Sequence, residues 1–257
     1  MEKKIAHKVE FNGVEFYYSK SRAIAEREIH DYHELLFYIN GEATFRTENY
    51  SKKLKNYTLI FIPKGKYHLF SPSDTEKFTR LKISFSDEQI EKYLPETFFN
   101  QVKLADDFGE TNLNLLLNAV NVIKTESLES HNEMFLYGAF LAVLTDFCKL
   151  NTAQPERKTS SIVSGCIDFI EDNLENDLSI DAMSKALNFS PSALSHSFKR
   201  EMGISLHSFV TQKRLVYAKT LLNSGEKPTD VFSRCGYKDY SSFYKAYLKT
   251  FKKRPKD

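Results

Sequence analysis

Leu178-Ser-Ile-Asp-Ala-Met-Ser-Lys-Ala-Leu-Asn-Phe-Ser-Pro-Ser-Ala-Leu-Ser-His-Ser-Phe-Lys-Arg200 is the stretch whose reading decides how this chain folds. Ser179 is a candidate N-cap, and Asp181 in the first turn suits the helix dipole. Ala182, Met183, Ala186 and Leu187 recur at spacings of three and four, which predicts one apolar helix face. Asn188-Phe189 reads as a turn. Ser190 can cap a second helix, with Pro191 at its first position, where a missing N–H costs nothing. Leu194 and Phe198, four apart, face inward together; Ser192, Ser195, His196 and Lys199 are left facing out. A short helix, a tight turn and a second helix with a polar outer face is the plan of a helix-turn-helix, whose second helix enters the DNA major groove.

The plan recurs from Pro228 to Lys249. Val231, Phe232 and Cys235 are the apolar positions of the first helix, and Gly236 ends it. Asp239 can cap the next helix. Phe243, Tyr247 and Phe251 form its inward stripe, while Tyr240, Ser241, Tyr244, Lys245 and Lys249 face away. Between the copies, Phe209, Leu215, Ala218, Leu221 and Leu222 predict a helix from Ser205 to Leu222. At 1.5 Å per residue that helix is roughly 27 Å long. Successive major grooves on one DNA face lie about 34 Å apart, so such a spacer suits two recognition helices near one-turn separation.

Ile162 to Pro255 resembles the DNA-binding domain of the AraC/XylS family of bacterial transcription regulators. The resemblance covers about a hundred residues. Its most specific part is Gly236-Tyr237-Lys238-Asp239-Tyr240-Ser241-Ser242-Phe243, running on to Phe251 and Pro255. Leu194-Ser195-His196-Ser197-Phe198-Lys199, then Gly203, Ser205, Arg214 and Ala218, also fits. The chain departs from the pattern by lacking the usual Gly after Phe251 and by stopping at Asp257, so the last short helix is expected to be absent or frayed. The resemblance places base-reading positions at Ser192, Ser195 and His196 and at Ser241, Tyr244 and Lys245. Serine hydroxyls and a lysine can meet base edges, but no Arg stands on either outer face for bidentate guanine readout. Direct readout is therefore modest, with a larger share from phosphates and DNA shape. Lys199, Arg200, Lys238, Tyr240 and Lys249 are the phosphate candidates. For any one lysine the alternative is a solvated surface charge.

Composition agrees. The 257 residues are 41% hydrophobic and 27% charged, which describes a folded globular chain of one large or two ordinary domains. No apolar run approaches the length of a membrane span, and the N-terminus lacks the apolar core of a signal peptide. Cys148, Cys166 and Cys235 are scattered in no metal or redox spacing, so reduced thiols and a cytoplasmic location are expected. The net charge is only +2, but it is uneven: from Met183 onward 15 Lys and Arg stand against 5 Asp and Glu. A basic end suggests a polyanion partner for that end.

Residues 5 to 86 read as β. Val9-Glu-Phe-Asn12-Gly13-Val-Glu-Phe16 predicts a hairpin on an Asn-Gly turn, and Leu35 to Phe45, around Asn40-Gly41, predicts a second. Lys53-Leu54, Thr58–Ile62, Tyr67–Phe70 and Thr79–Phe85 supply further strands, and many short strands suggest a sandwich or barrel. His30, Glu34 and Gly41, with Pro63-Lys-Gly65-Lys-Tyr-His68, resemble the two motifs of the cupin β-barrel, which also forms the N-terminal sensor domain of many AraC-type regulators. In metal-binding cupins two His, a Glu and a distant His converge on one ion. Here the first His position is Glu28, and the usual Gly ahead of the second motif is Tyr57. A divalent metal at His30, Glu34 and His68 is one reading. The other is that these residues hydrogen-bond within the barrel or hold a polar ligand. His33 breaks the motif's parity and reads as a surface residue. A barrel mouth suits a small ligand, and Tyr18, Tyr38, Phe45, Tyr67 and Phe70, with His30, Glu34 and His68, are the candidate lining.

Ser86-Asp87 is expected to open a helix running to Leu94. Leu113, Leu116, Leu117, Val120 and Ile123, then Phe135, Leu136, Ala139, Phe140, Val143, Leu144 and Phe147, predict two amphipathic helices in a hairpin. They pack on the barrel or pair with a second subunit; the resemblance favours the second. Residues 151–160 are polar and aperiodic and read as a linker, followed by a helix from Ile162 to Leu174 with Ile162, Cys166, Phe169 and Ile170 inward. The expectation is thus an α+β protein of two domains. Residues 1–150 form a cupin-like sensor barrel with a helical hairpin; residues 161–257 form an all-α double helix-turn-helix domain. The expected function is that of a ligand-responsive transcription regulator and not an enzyme, with no cofactor. Its expected partners are double-stranded DNA, RNA polymerase, a small effector with sugars among the candidates, and a second copy of itself; no membrane is involved. The competing class, a cupin metalloenzyme, needs a full metal set, which Glu28 interrupts.

Overall fold

A computed structural model of the chain describes residues 5–22, 26–48, 51–72, 77–90, 94–125, 130–150 and 159–255. The fold is α+β, in two compact units: Met1–Thr47 with Ser51–Glu156, and Arg157–Asp257 with Glu48–Tyr50. Most of the expected linker, 151–158, lies outside the described residues, as do the last two positions of the chain.

The first unit opens with a hairpin of β1 (Ile5–Phe11) and β2 (Val14–Arg22). Asn12 and Gly13 both have positive φ, 49° and 73°, as a two-residue turn of this twist requires. Next come β3 (Glu26–Glu28), β4 (His33–Asn40), β5 (Ala43–Thr47), β6 (Ser51–Lys53), β7 (Thr58–Ile62), β8 (His68–Pro72), β9 (Lys77–Phe85) and β10 (Lys103–Ala105). They pair antiparallel into a six-stranded sheet, β1-β2-β9-β4-β7-β10, and a four-stranded sheet, β3-β8-β5-β6.

This order corrects the second expected hairpin. β4 pairs with β7 and β9, whereas β5 pairs with β6 and β8, so Asn40-Gly41 carries the chain from one sheet to the other. Gly41 sits at φ 124°, and a Cβ there would lie 2.9 Å from the Phe78 Cα, which explains the glycine without any hairpin.

β4 is buried on both faces. Leu35, Phe37 and Ile39 share one face with Phe16, Tyr18, Leu81, Ile83 and Phe85. Across that face lie α1 (Glu110–Ile123) and α2 (Ser130–Lys149), which contribute Leu116, Ala119, Val120, Leu136, Phe140, Val143, Leu144 and Phe147 to the same core. The helical hairpin therefore buries its stripe against its own sheet. The other face of the sheet meets the four-stranded sheet: Lys82 on β9 reaches Glu28 on β3, and the Arg80 guanidinium lies 5.9 Å from the Phe70 ring. The helix expected from Ser86 is, among the described residues, one 3-10 turn at Asp87–Gln89, closed by the Gln89 side chain accepting from the Ser86 N–H at 2.8 Å.

The second unit is all helix: α3 (Ser161–Asp172), α4 (Ile180–Leu187), α5 (Pro191–Met202), α6 (Leu206–Asn223), α7 (Pro228–Arg234) and α8 (Tyr240–Phe251). Ser160, Ser179, Ser190, Ser205 and Asp239 each accept a backbone N–H from the first turn of the helix they cap. Each such cap is worth about 1 kcal/mol. The buried face of α3 is rotated from expectation: Val163, Cys166, Ile167 and Ile170 are inside, while Ile162 and Phe169 are only half-buried. In α4 Met183 is buried and Ala186 is exposed. Leu215, Ala218, Leu221, Val231, Cys235, Phe243 and Tyr247 form the core that joins α6 to α7 and α8.

Candidate nucleic-acid interface and buried polar cluster

Two helix-turn-helix pairs are present, α4–α5 and α7–α8, on either side of α6. In the first turn Asn188 takes the left-handed conformation at φ 56°, which asparagine tolerates. The Ser184 hydroxyl donates to the Phe189 carbonyl at 2.6 Å and holds the bend. In the second turn Gly236 has φ 71°. Leu194 and Phe198 are completely buried, so they orient α5. Ser192, His196, Lys199 and Arg200 are then left exposed, with Ser195 half-buried. On α8 the buried Phe243 and Tyr247 leave Ser241, Lys245 and Lys249 exposed, and Lys238 is exposed just before the helix. Tyr244 and Tyr240 are half-buried; the Tyr240 ring packs edge-on to Phe232, so part of this phosphate candidate serves the core.

The pairs are tied together by charged groups, of which the sequence reading named Arg214 but neither Glu175 nor Arg234. Arg234 on α7 grips Glu175, in the loop before α4, through Nη2 at 2.6 Å and Nε at 3.1 Å. It also pairs with Glu226, while the Tyr217 hydroxyl on α6 donates to Glu175. The Arg234 and Tyr217 contacts hold the Glu175 carboxyl down at about 2. Arg214 on α6 donates to the carbonyls of Leu174 and Asn176, at 3.1 and 2.6 Å. A Cβ on Gly236 would collide with its guanidinium. Arg214 thus ties α6 to the loop before α4 and lies against Gly236 in the second turn. A cleft of about 1080 Å³ opens between the pairs, lined among others by Ser195, Lys199, His207, Thr211, Lys238 and Ser242.

In the first unit His30, Glu34 and His68 come together, and Glu28 joins them: one ligand atom from each lies within 4.8 Å of the others. The cluster is buried, with Glu34 wholly inaccessible and Glu28 half-buried. Lys82 enters from β9, its Nζ 3.1 Å from Oε2 of both Glu28 and Glu34. The ring nitrogens approach the same oxygens less closely, His30 Nε2 at 3.5 Å from Glu34 and His68 Nε2 at 3.5 Å from Glu28. Burial pushes the Glu28 carboxyl up, but His68 and Lys82 outweigh it and hold it at about 2. Burial likewise opposes ionisation of Glu34, yet Lys82 and His30 hold it well below the usual carboxylate range. Lys82 is held above its ordinary value, the two carboxylates outweighing burial.

Tyr38, Phe45, Tyr67 and Phe70 are buried as well. Tyr18 does not join them. It pairs with Leu81, which pairs with Phe37, and all three lie on the helix-covered face of the sheet, opposite Glu34 and Tyr38. His33 is not a surface residue: it is 1% exposed, packs on Phe61, Phe85 and Phe99, and its Nε2 donates to Asp87 at 2.6 Å. The misreading came from weighing motif parity above strand alternation. The missed member, Lys82, did carry a signal. In Phe78-Thr-Arg80-Leu-Lys82-Ile-Ser84-Phe85 both basic residues alternate with apolar ones, and a strand buried on both faces needs anions opposite them.

Two recognition helices on one spacer helix, with a basic outer face, define a bipartite DNA-binding protein. Residues 183–257 match the family described as a helix-turn-helix domain. The lactose operon transcription activator of Staphylococcus xylosus is 24% identical over 222 residues, 82% of this chain and 77% of its own. The transcriptional activator RhaS of Escherichia coli is 20% identical over 239 residues, 89% of this chain and 85% of its own. Among solved structures, ToxT from Vibrio cholerae matches 96% of each chain at 16% identity, with a TM-score of 0.40. These matches support an AraC/XylS-type transcription regulator, with residues 183–257 carrying the matched helix-turn-helix domain.

Proposed function

We propose that this regulator reads DNA through α5 and α8 in successive major grooves and answers to a small effector taken up by its first unit. The observation that carries the DNA reading is the pair of polar helix faces held by Arg214 and the Glu175–Arg234 contacts. Ser192, Ser195 and His196 on α5, and Ser241, Tyr244 and Lys245 on α8, meet base edges. Lys199, Arg200, Lys238 and Lys249, with the Tyr240 hydroxyl, meet phosphates. Among the outward side chains of these two helices that reading assigns no bidentate Arg–guanine pair, so specificity leans on DNA shape.

The effector reading rests on a buried polar cluster lined by aromatics, and on relatives that align across both units and include one named for the lactose operon. We take the effector to be a sugar or another small polar molecule. The protein acts by binding and not by turnover, in the cytoplasm, as a homodimer that contacts RNA polymerase. The exposed edge of α1 and α2, including Met134, is the dimer surface. Selecting genomic fragments on the full chain, with and without a sugar panel, tests the whole reading. Protection of two half-sites about one helical turn apart, shifted in affinity by one sugar, is the expected result. Failure to retain any fragment in dilute buffer overturns the DNA reading; sugar-independent retention overturns the effector reading alone.

A further inference from the structure

We infer that Lys82 is the resident cation of the buried cluster, occupying with its ammonium the position a divalent metal would need, and that this one side chain is what keeps the first unit from being a metal site. Four donors converge as metal ligands do: two imidazoles and two carboxylates, their atoms within 4.8 Å of one another. Such a mixed nitrogen and oxygen set suits a divalent transition ion. Zinc would sit about 2.0–2.2 Å from each donor. The oxygens it would use are already bridged: Lys82 Nζ is 3.1 Å from Oε2 of Glu28 and from Oε2 of Glu34. These charges are in direct contact and out of solvent: Glu34 is wholly buried and Lys82 is 9% exposed. An ion bound to the same oxygens would face the ammonium in a medium of low dielectric, where like charges repel strongly.

The imidazoles show what the ammonium leaves unfinished. His30 Nε2 and His68 Nε2 are buried without a hydrogen-bond partner, as is Oε1 of Glu34. Both nitrogens are aimed at the bridged oxygens from 3.5 Å. The other nitrogen of each ring is near a backbone carbonyl, His30 Nδ1 at 2.7 Å from Tyr32 O and His68 Nδ1 at 3.4 Å from Lys66 O. The carbonyl beside each Nδ1 fixes the ring with Nε2 turned into the cluster, the orientation in which a metal-ligating histidine is held. The ligand set is oriented, and Lys82 substitutes for the ion.

The test uses the untagged full chain and Co²⁺, whose visible absorption reports nitrogen and oxygen coordination. Wild type and Lys82→Arg should take up no stoichiometric Co²⁺. Lys82→Met, which keeps the apolar stem and removes the charge, should bind one Co²⁺ per chain, gain a visible band that a chelator removes, and lose it when His68→Ala is added. If Lys82→Met folds only with Co²⁺ present, as read by circular dichroism, the inference holds equally. One Co²⁺ bound by wild type with a band that needs His68 would overturn it. So would a Lys82→Met chain that folds but binds none, or that stays unfolded with the metal as well as without.

Discussion

Two residues stand where the family pattern leads one to look for glycine, and both hold the backbone glycine would have held. Lys252, after Phe251, has φ 57° and closes α8 with its N–H on the Leu248 carbonyl. Tyr57, ahead of the second cupin-like motif, has φ 62°. The chain geometry is kept and the strain accepted, at about 1–2 kcal/mol for a residue with a Cβ. Lys252→Gly is therefore expected to stabilise the second unit by about 1 kcal/mol in urea unfolding. The converse holds at Gly236, where φ is 71° and a Cβ would meet the pinned Arg214 guanidinium. Gly236→Ala should cost at least about 1–2 kcal/mol in the same measurement. It should also weaken DNA binding, because Arg214 must shift; unchanged stability would mean that Arg214 is not pinned. The absence of glycine at 57 and 252 was visible in the sequence. That the backbone would keep its left-handed turn there was not, because only the surrounding packing forces it.

At the scale of elements, caps and spacings carried well. Ser179, Ser190-Pro191, Gly236 and Asp239 stand at the helix ends where the sequence placed them, because capping is local chemistry. The face of α3 did not carry: Val163 and Ile167 are inside because α4 and α5 lie on that side, a tertiary fact. Asn40-Gly41 failed for a similar reason. A turn signal marks a reversal, but not whether the next strand joins the same sheet. The tie between the helix pairs predicts a pH dependence. Glu175 is held at about 2, below its unfolded value of about 4.3, so its contact with Arg234 stabilises fully above the unfolded value and is lost as pH falls towards 2. The gap in melting temperature between wild type and Arg234→Met should be open at pH 5 and close by pH 2. A gap that stays constant would mean Arg234 acts through packing alone.

For the molecule as a whole, charge placement decides the mode of binding. The basic excess after Met183 belongs to the unit that carries both recognition helices, so association should be strongly salt-dependent. Lys199→Ala should weaken binding by a similar factor on every sequence and lower the salt slope by about 1, measured by titration across salt concentrations. Lys245→Ala should instead relax choice at one base position by about 1–3 kcal/mol. If both variants lose equally on all sequences, α8 meets only phosphate. None of the helices among the described residues is long and apolar enough to cross a membrane.

The sequence by itself determined the two helix-turn-helix pairs, their spacer, their caps and the β character of the first half. These follow from periodicity and capping, which act over a few residues. Only the tertiary structure decided which strands share a sheet, that His33 is buried, that Tyr18 lies on the far face, and that Glu28 and Lys82 complete the cluster of His30, Glu34 and His68. Lys82 and Glu34 are 48 positions apart, and nothing local links them. They meet because β4 and β9 pair antiparallel in one register, which alternation along each strand then turns into a shared face.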